Sequence, residues 1–185
     1  KYPLTYMSTN DVFSECAGGP FNEDRVPAPG MPYSWTKYAG EQAILACNGL
    51  AIRANFFTQR CNAKKSFVAY VLDNALSGKP YNCYPNVQSS PVFAGTLALR
   101  IVDSMHQNLT GVLHVCTEDS VNRAEQAQLI CEAYGLPSSN ITQEPLLNRN
   151  GRPLDARLSS IRGGSVGSVE AEIAKLPEAE PLVRV

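Results

Sequence analysis

Residues 32–41, Pro32-Tyr33-Ser34-Trp35-Thr36-Lys37-Tyr38-Ala39-Gly40-Glu41, open a predicted helix that runs to about Cys47. Tyr33 and Lys37 are four apart, so on a helix they share one face, a turn from each other. A free phenol titrates near pH 10 and carries protons poorly at neutrality. An ammonium one turn away favours the phenolate and brings the phenol towards a usable range. The hydroxyls of Ser8-Thr9, at the end of the apolar run Leu4–Met7, offer a third group for the same site. The bare Tyr-x-x-x-Lys pair by itself reads better as an amphipathic helix with an exposed lysine, and its context reverses that reading.

That context is an ordered series at short spacing. Ser8-Thr9-Asn10-Asp11-Val12-Phe13 comes first, then Gly19-Pro20-Phe21-Asn22-Glu23-Asp24, then Pro27-Ala28-Pro29, then Tyr33-x-x-x-Lys37-x-x-Gly40-Glu41. The series resembles the extended short-chain dehydrogenase/reductase superfamily and, within it, dTDP-4-dehydrorhamnose reductase and its relatives. The resemblance runs from about Lys1 to Arg162 and is most specific over the first sixty residues. It also takes in the regulatory β subunit of methionine adenosyltransferase, through segments such as Pro27-Ala28-Pro29 and Leu136-Pro137-Ser138-Ser139.

At 185 residues, 44% hydrophobic, the chain can bury a core of one domain or slightly more. Sixteen basic and 17 acidic residues are scattered, for a net charge of -1. With no basic run, a nucleic-acid or anionic-membrane surface is not expected. No apolar run is long enough for a membrane-spanning helix. Six dispersed cysteines without a Cys-x-x-Cys pair, and only two histidines, argue against zinc and for a reducing, cytoplasmic setting.

The remaining chain alternates strand and helix, which predicts an α/β fold. Lys1–Phe13 reads as a strand that delivers Ser8 and Thr9 at its carboxyl end, where open α/β sheets gather ligands. A long loop over 14–32 leads to the helix, whose Ala39, Ala43, Ile44 and Ala46 make a small-residue face suited to packing on a sheet. Asn48-Gly49 ends it, and Leu50–Phe57 is the next strand. Helices are predicted over 66–76, 92–106 and 120–134, with short strands at 81–84 and 112–116. The stripe Phe93, Leu97, Ile101 and Met105 is read as core. From Gly163 onward the glycine turn Gly163-Gly164-Ser165-Val166-Gly167, one short helix (169–176) and a proline-broken end read as a flexible tail.

The resemblance implies the C-terminal part of a Rossmann-like parallel sheet with helices and a small substrate lobe. Residues 1–116 would be the second half of the NAD(P)-binding domain, with about 60–90 contributing to the substrate lobe. Residues 117–162 would complete that lobe, and 163–185 would be the tail. A strand, glycine turn and helix for the cofactor pyrophosphate are expected to lie before Lys1, in a missing N-terminal segment or a companion chain, or a homo-oligomer would cover the exposed sheet edge.

The implied chemistry is hydride transfer from the reduced cofactor, NADP or NAD in its NADPH or NADH form, to the ketone of a 4-keto sugar nucleotide. Tyr33 would protonate the developing alkoxide, and Lys37 would support Tyr33 and hold the nicotinamide ribose. Thr9, the second member of its hydroxyl pair, would hold the carbonyl oxygen. Ala54, Asn55 and Phe56 follow Arg53 and would approach the nicotinamide. Asn10, Phe56 and Arg152 join Thr9 on the substrate, with Arg152, in Arg152-Pro153-Leu154-Asp155, as a fixed cation for a nucleotide phosphate. Relatives usually have Asp-Tyr where Asn10-Asp11 stands and a tryptophan where Phe56 stands, which points to an altered substrate. A non-catalytic regulatory or structural subunit of a larger complex is the alternative.

Overall fold

The computed structural model describes residues 4–59, 66–147 and 150–179. The first strand, β1 (Thr5–Met7), is shorter than the sequence suggests, because Thr9 caps a 3₁₀ turn at Asn10–Phe13 and ends the extended run. α1 (Pro32–Ala46) begins with proline in its first turn, where the missing N–H costs nothing. The Ser34 hydroxyl accepts from the Met31 N–H at 3.2 Å and donates to the Met31 carbonyl at 2.9 Å. β2 (Leu50–Ala54) is buried throughout, and β3 (Phe56–Phe57) follows after one residue.

α2 (Phe67–Ser77) is capped by Ser66, whose hydroxyl accepts from Ala69 N at 3.0 Å, and it closes on Gly78. Next come β4 (Tyr81–Asn82), β5 (Gln88–Ser89) and β6 (Val92–Phe93), before α3 (Ala94–His106). β7 (Gly111–Thr117) is the longest strand, and β8 (Val121–Asn122) leads into α4 (Arg123–Ala133). Asn122 accepts from Ala124 N and Glu125 N, while Glu125 accepts from Asn122 N, a reciprocal cap that fixes where α4 starts. β9 (Ile141–Thr142), β10 (Asp155–Ala156) and β11 (Ser165–Val166) precede α5 (Val169–Ala174) and α6 (Leu176–Ala179).

The principal sheet is all parallel in the order β1-β2-β7-β11. Thr5 pairs with Leu50, Leu50 with Gly111, and Ser165 with Cys116, so the carboxyl ends of β1 and β2 lie side by side. Such a sheet needs apolar cover on its faces. Leu50, Ile52, Leu113 and Val115 supply it, packed against Val92 and Leu97. A second core joins Val68, Val71 and Leu72 of α2 with Ala127, Ile130 and Cys131 of α4 and with Val169, Ile173 and Leu176. The fold class expected from the sequence is the one observed.

Three expectations need correction. The segment read as a flexible tail is built into the body as far as residue 179; residues 180–185 lie outside those described. β11 extends the sheet, and a side chain at Gly164 would collide with the His114 carbonyl, so only glycine lets this edge come in. The tail reading missed this because a two-residue strand carries no periodic signal. Likewise Ala39, Ala43 and Ala46 of α1 face outward, while Ser34 and Glu41 are the residues buried against the sheet. Met105 is 38% exposed at the end of its stripe, while the buried positions of α3 are Leu97 and Ser104. No helix of the described residues is long and apolar enough to cross a membrane.

Candidate active site

The site forms where β1 and β2 end. The ladder continues one residue past β1, with Ser8 N donating to Ile52 O at 2.8 Å. Thr9 then turns the chain: its hydroxyl accepts from Asp11 N at 3.2 Å, and Asn10 Nδ2 donates to Ala156 O at 3.0 Å. Thr9 and Asn10 are buried, Thr9 held by a local backbone bond and Asn10 by one to β10. Ser8 is engaged elsewhere, donating to the Glu41 carboxylate. The Thr9 hydroxyl also donates to Asn10 Oδ1 at 3.4 Å, and both Ser8 and Thr9 line the cavity.

α1 approaches β1 closely because residue 40 is glycine; a Cβ there would lie 2.4 Å from the Tyr6 ring. Tyr33, in the first turn, is 47% exposed and borders the cavity. Lys37, one turn on, does not border it. Its Nζ donates to Met7 O at 3.0 Å and lies 5.2 Å from the centre of the Tyr6 ring. The Tyr6 phenol is pushed up by burial, then by the neighbouring charge of Glu41 and by Tyr33. Lys37 is thus seated at the strand end beneath the cavity, with two N–H donors not used on Met7.

The cavity has a volume of about 600 Å³. Ser8, Thr9, Asn10, Asp11 and Tyr33 form one wall, and Ala54, Asn55 and Phe56 continue it from β2. Arg53, their predecessor, points the other way and pairs with Glu41. Phe56 is 53% exposed and presents a ring at the mouth. Phe67 and Tyr70 of α2, with Asn82, Gln88, Arg123 and Arg152, complete the lining. The structure therefore brings together Thr9, Asn10, Tyr33, Ala54, Asn55, Phe56 and Arg152, and leaves Lys37 just outside the lining.

Arg123 was not legible in the sequence. It is the first residue of α4, stacked on Phe67 at 4.7 Å, with Nη1 donating to Gln126 Oε1 at 2.7 Å. Among the described residues neither Arg123 nor Arg152 has a salt-bridge partner. Burial lowers the Arg123 pKa, which Asp11 opposes and Arg152 reinforces. Burial in turn raises Asp11, against the pull of Arg152 and Arg123. Gln126 Nε2 and Ser89 Oγ are buried without a partner on the same side. Asp11, itself disfavoured by burial, is the carboxylate that opposes the two guanidiniums, and an anionic ligand would add to it. The reciprocal cap at Asn122 marks the start of α4 in the sequence, but nothing local shows that this start faces a cavity.

The Cys83 thiol at the cavity edge is pushed up to about 11 by burial, so it remains a protonated thiol there. The five described cysteines, Cys16, Cys47, Cys83, Cys116 and Cys131, are free. Cys61 lies outside the described residues.

Comparison with known proteins places residues 1–170 on the family model described as RmlD substrate binding domain. A probable dTDP-4,6-dihydroxy-2-methyloxan-3-one 4-ketoreductase of Streptomyces antibioticus is 29% identical over 131 residues, covering 69% of this chain and 44% of that protein. Methionine adenosyltransferase 2 subunit beta of Pongo abelii is 27% identical over 176 residues, covering 89% of this chain and 52% of that protein. Among solved structures, dTDP-4-dehydrorhamnose reductase of Bacillus anthracis in complex with NADP superposes with a TM-score of 0.86 at 22% identity. That superposition covers 96% of this chain and 66% of the other. The chain spans about half the length of the curated relatives it matches.

Proposed function

We propose a function that proceeds from one fact: this chain belongs to the RmlD substrate binding domain family. The function is reduction of a ketone on a nucleotide-linked sugar, with the reduced form of NADP or NAD as the hydride donor. One observation carries it. A proton donor on a helix (Tyr33), a fixed hydroxyl at a strand end (Thr9) and two guanidiniums that make no ion pair among the described residues border a single cavity. The first two suit a carbonyl that becomes an alkoxide. The last two suit a diphosphate, because a planar guanidinium pairs phosphate oxygens at fixed geometry.

Tyr33, Lys37, Ala54, Asn55 and Phe56 are the residues that would hold the nicotinamide side of the cofactor, which supplies the hydride when bound. Their placement suits that role, since Tyr33 and Ala54–Phe56 share one wall and Lys37 keeps donors for a ribose hydroxyl. Thr9 orients the ketone, and Tyr33 delivers the proton to its oxygen. Asn10 and Phe56 meet the sugar, Phe56 by ring stacking, and Arg152 with Arg123 takes the nucleotide phosphates. In this reading residues 1–116 form the nicotinamide side and 117–162, with about 60–90, the substrate lobe. The five free cysteines agree with work in the cytoplasm.

A second reading, a non-catalytic subunit, is favoured by one feature. The Lys37 ammonium is committed to Met7 O and the Tyr6 face rather than to the cavity. The outer edge of β1 has no partner among the described residues, so a further segment, a companion chain or a second copy has a place to add. The deciding experiment supplies NADPH and a dTDP-linked 4-keto-6-deoxy sugar to the protein carrying this chain and follows NADPH absorbance. Turnover that Tyr33→Phe abolishes supports the reductase. Binding of the sugar nucleotide with no turnover supports the subunit reading.

A further inference from the structure

On the same helix face as Tyr33 and Lys37, one turn beyond them, Glu41 is fully buried. Both oxygens of its carboxylate are occupied. Arg53 Nε donates to Oε1 at 2.9 Å and Nη2 to Oε2 at 2.7 Å, a two-point fork, and the Ser8 hydroxyl donates to Oε1 as well. Arg53 is 3% exposed, and its remaining Nη1 lies 3.3 Å from His114 Nε2. On the far side His114 Nδ1 stands 3.0 Å from Ser159 O and 3.1 Å from Phe21 O. Carbonyls only accept, so Nδ1 carries the proton and Nε2 accepts from Arg53. Glu41 thus accepts from Ser8 on one side and Arg53 on the other, Arg53 also donates to His114, and His114 donates to the two backbone carbonyls.

None of these four groups reaches the bound ketone in the proposed mechanism, yet the line joins the elements that must be in register for it. Glu41 sits on the helix of Tyr33, and Ser8 precedes Thr9 in the chain. Arg53 precedes the Ala54–Phe56 wall. A buried carboxylate forked by arginine cannot slide without losing bonds in a setting where lost bonds are costly.

We propose that Glu41 is a positioning residue, which, through Ser8 and Arg53, fixes the distance between Tyr33 on α1 and Thr9 at the end of β1. The proposal rests on the reductase reading for its consequence in turnover, but not for its geometry. Lys37 grips Met7 O on the same strand, so α1 holds the strand end at two consecutive points a helical turn apart. A slip at Glu41 therefore tilts Tyr33 against Thr9 rather than detaching the helix.

The test uses the protein carrying this chain, labelled with carbon-13 at tyrosine Cζ and with Tyr33 assigned through Tyr33→Phe. Ser8→Ala keeps the Glu41–Arg53 fork and cuts only its link to the strand. It is expected to shift the Tyr33 resonance and its titration midpoint and to speed amide exchange at Thr9–Asp11. It should lower kcat roughly ten- to hundredfold with KM changed by less than about threefold, as expected for misplacement near 1 Å. The double variant Glu41→Leu/Arg53→Met replaces the buried pair by apolar groups and is expected to fold with near-parental stability. It should not recover the Tyr33 signal or kcat.

A double variant with parental kcat assigns the pair a purely structural role and overturns the proposal. If that variant does not fold, Ser8→Ala decides. Parental Tyr33 signal and exchange in Ser8→Ala overturn the proposal whatever the activity. A shifted Tyr33 signal in a protein that reduces no ketone leaves the positioning in place and removes the functional reading.

Discussion

Ile173→Ala measures how far α5 belongs to the body of the protein. Ile173 is 1% exposed and packs in the core that joins α2, α4 and α5. The helix is tied down by more than this contact: Val169 N donates to Asp119 Oδ1 at 2.8 Å, and Glu172 accepts from Phe93 N at 3.0 Å. The surroundings therefore cannot easily collapse into the space the substitution leaves. Three buried carbons at about 0.8 kcal/mol each give roughly 2.4 kcal/mol of lost transfer energy. An unrelaxed cavity raises this to about 3–4 kcal/mol. For a chain of this size that is a fall in Tm of roughly 10 °C. Urea unfolding followed by circular dichroism gives the free energy, with Ile161→Ala, at a residue 59% exposed, as the reference for a surface position. A loss below about 1 kcal/mol, the range of ordinary surface changes, would refute the packing argument and restore the flexible-tail reading.

Tyr33→Phe should cut ketone reduction at least about a hundredfold with no loss of fold, since it removes one oxygen from a half-exposed side chain; steady-state kinetics with a melting curve checks both halves. Arg123→Met should weaken dTDP binding by about 1.5–3 kcal/mol, the worth of a charge-assisted hydrogen bond. Calorimetry reads this, and unchanged affinity would remove Arg123 from the site. Stability should also fall as pH drops below about 6.5, the ordinary histidine value. Burial holds the His114 pKa below that value, so the unfolded chain takes up a proton that the native imidazole does not. The neutral imidazole's contribution is thus present above about pH 6.5 and is lost as pH falls towards the folded value, by at most about 1.4 kcal/mol per pH unit. Urea midpoints from about pH 7.5 to 5.5 should show this slope, and His114→Gln should flatten it. The Glu23 carboxylate, whose charge opposes the fall of the His114 pKa, titrates at lower pH: burial raises it, but hydrogen bonds from Ser160, His114 N and Ile161 N outweigh that and hold it below the usual range.

What the sequence determined by itself was whatever short-range chemistry encodes. The helix over Tyr33–Ala46, the alternation of strand with helix and the ordered Ser8-Thr9 and Tyr33-x-x-x-Lys37 motifs could all be read within a few residues. Each depends on local dihedral preference, a hydrogen bond to a near neighbour, or a repeat of about 3.6. The tertiary structure decided which surface each element turns inward. Ala39, Ala43 and Ala46 have the composition of a packing face, yet α1 buries Glu41 instead, because Arg53 and Ser8 meet it there from β2 and β1. A burial pattern read along one helix treats a carboxylate as solvent-facing, and only a partner from another strand reverses that. Arg123 enters the cavity because α4 packs on α2, and Lys37 is committed to Met7 O because Gly40 lets helix and strand approach. The two-residue strand β11 exists only because β7 is there to pair with. Contacts of this kind join residues tens of positions apart, and their energy comes from the partner; no pattern within either segment alone can carry them.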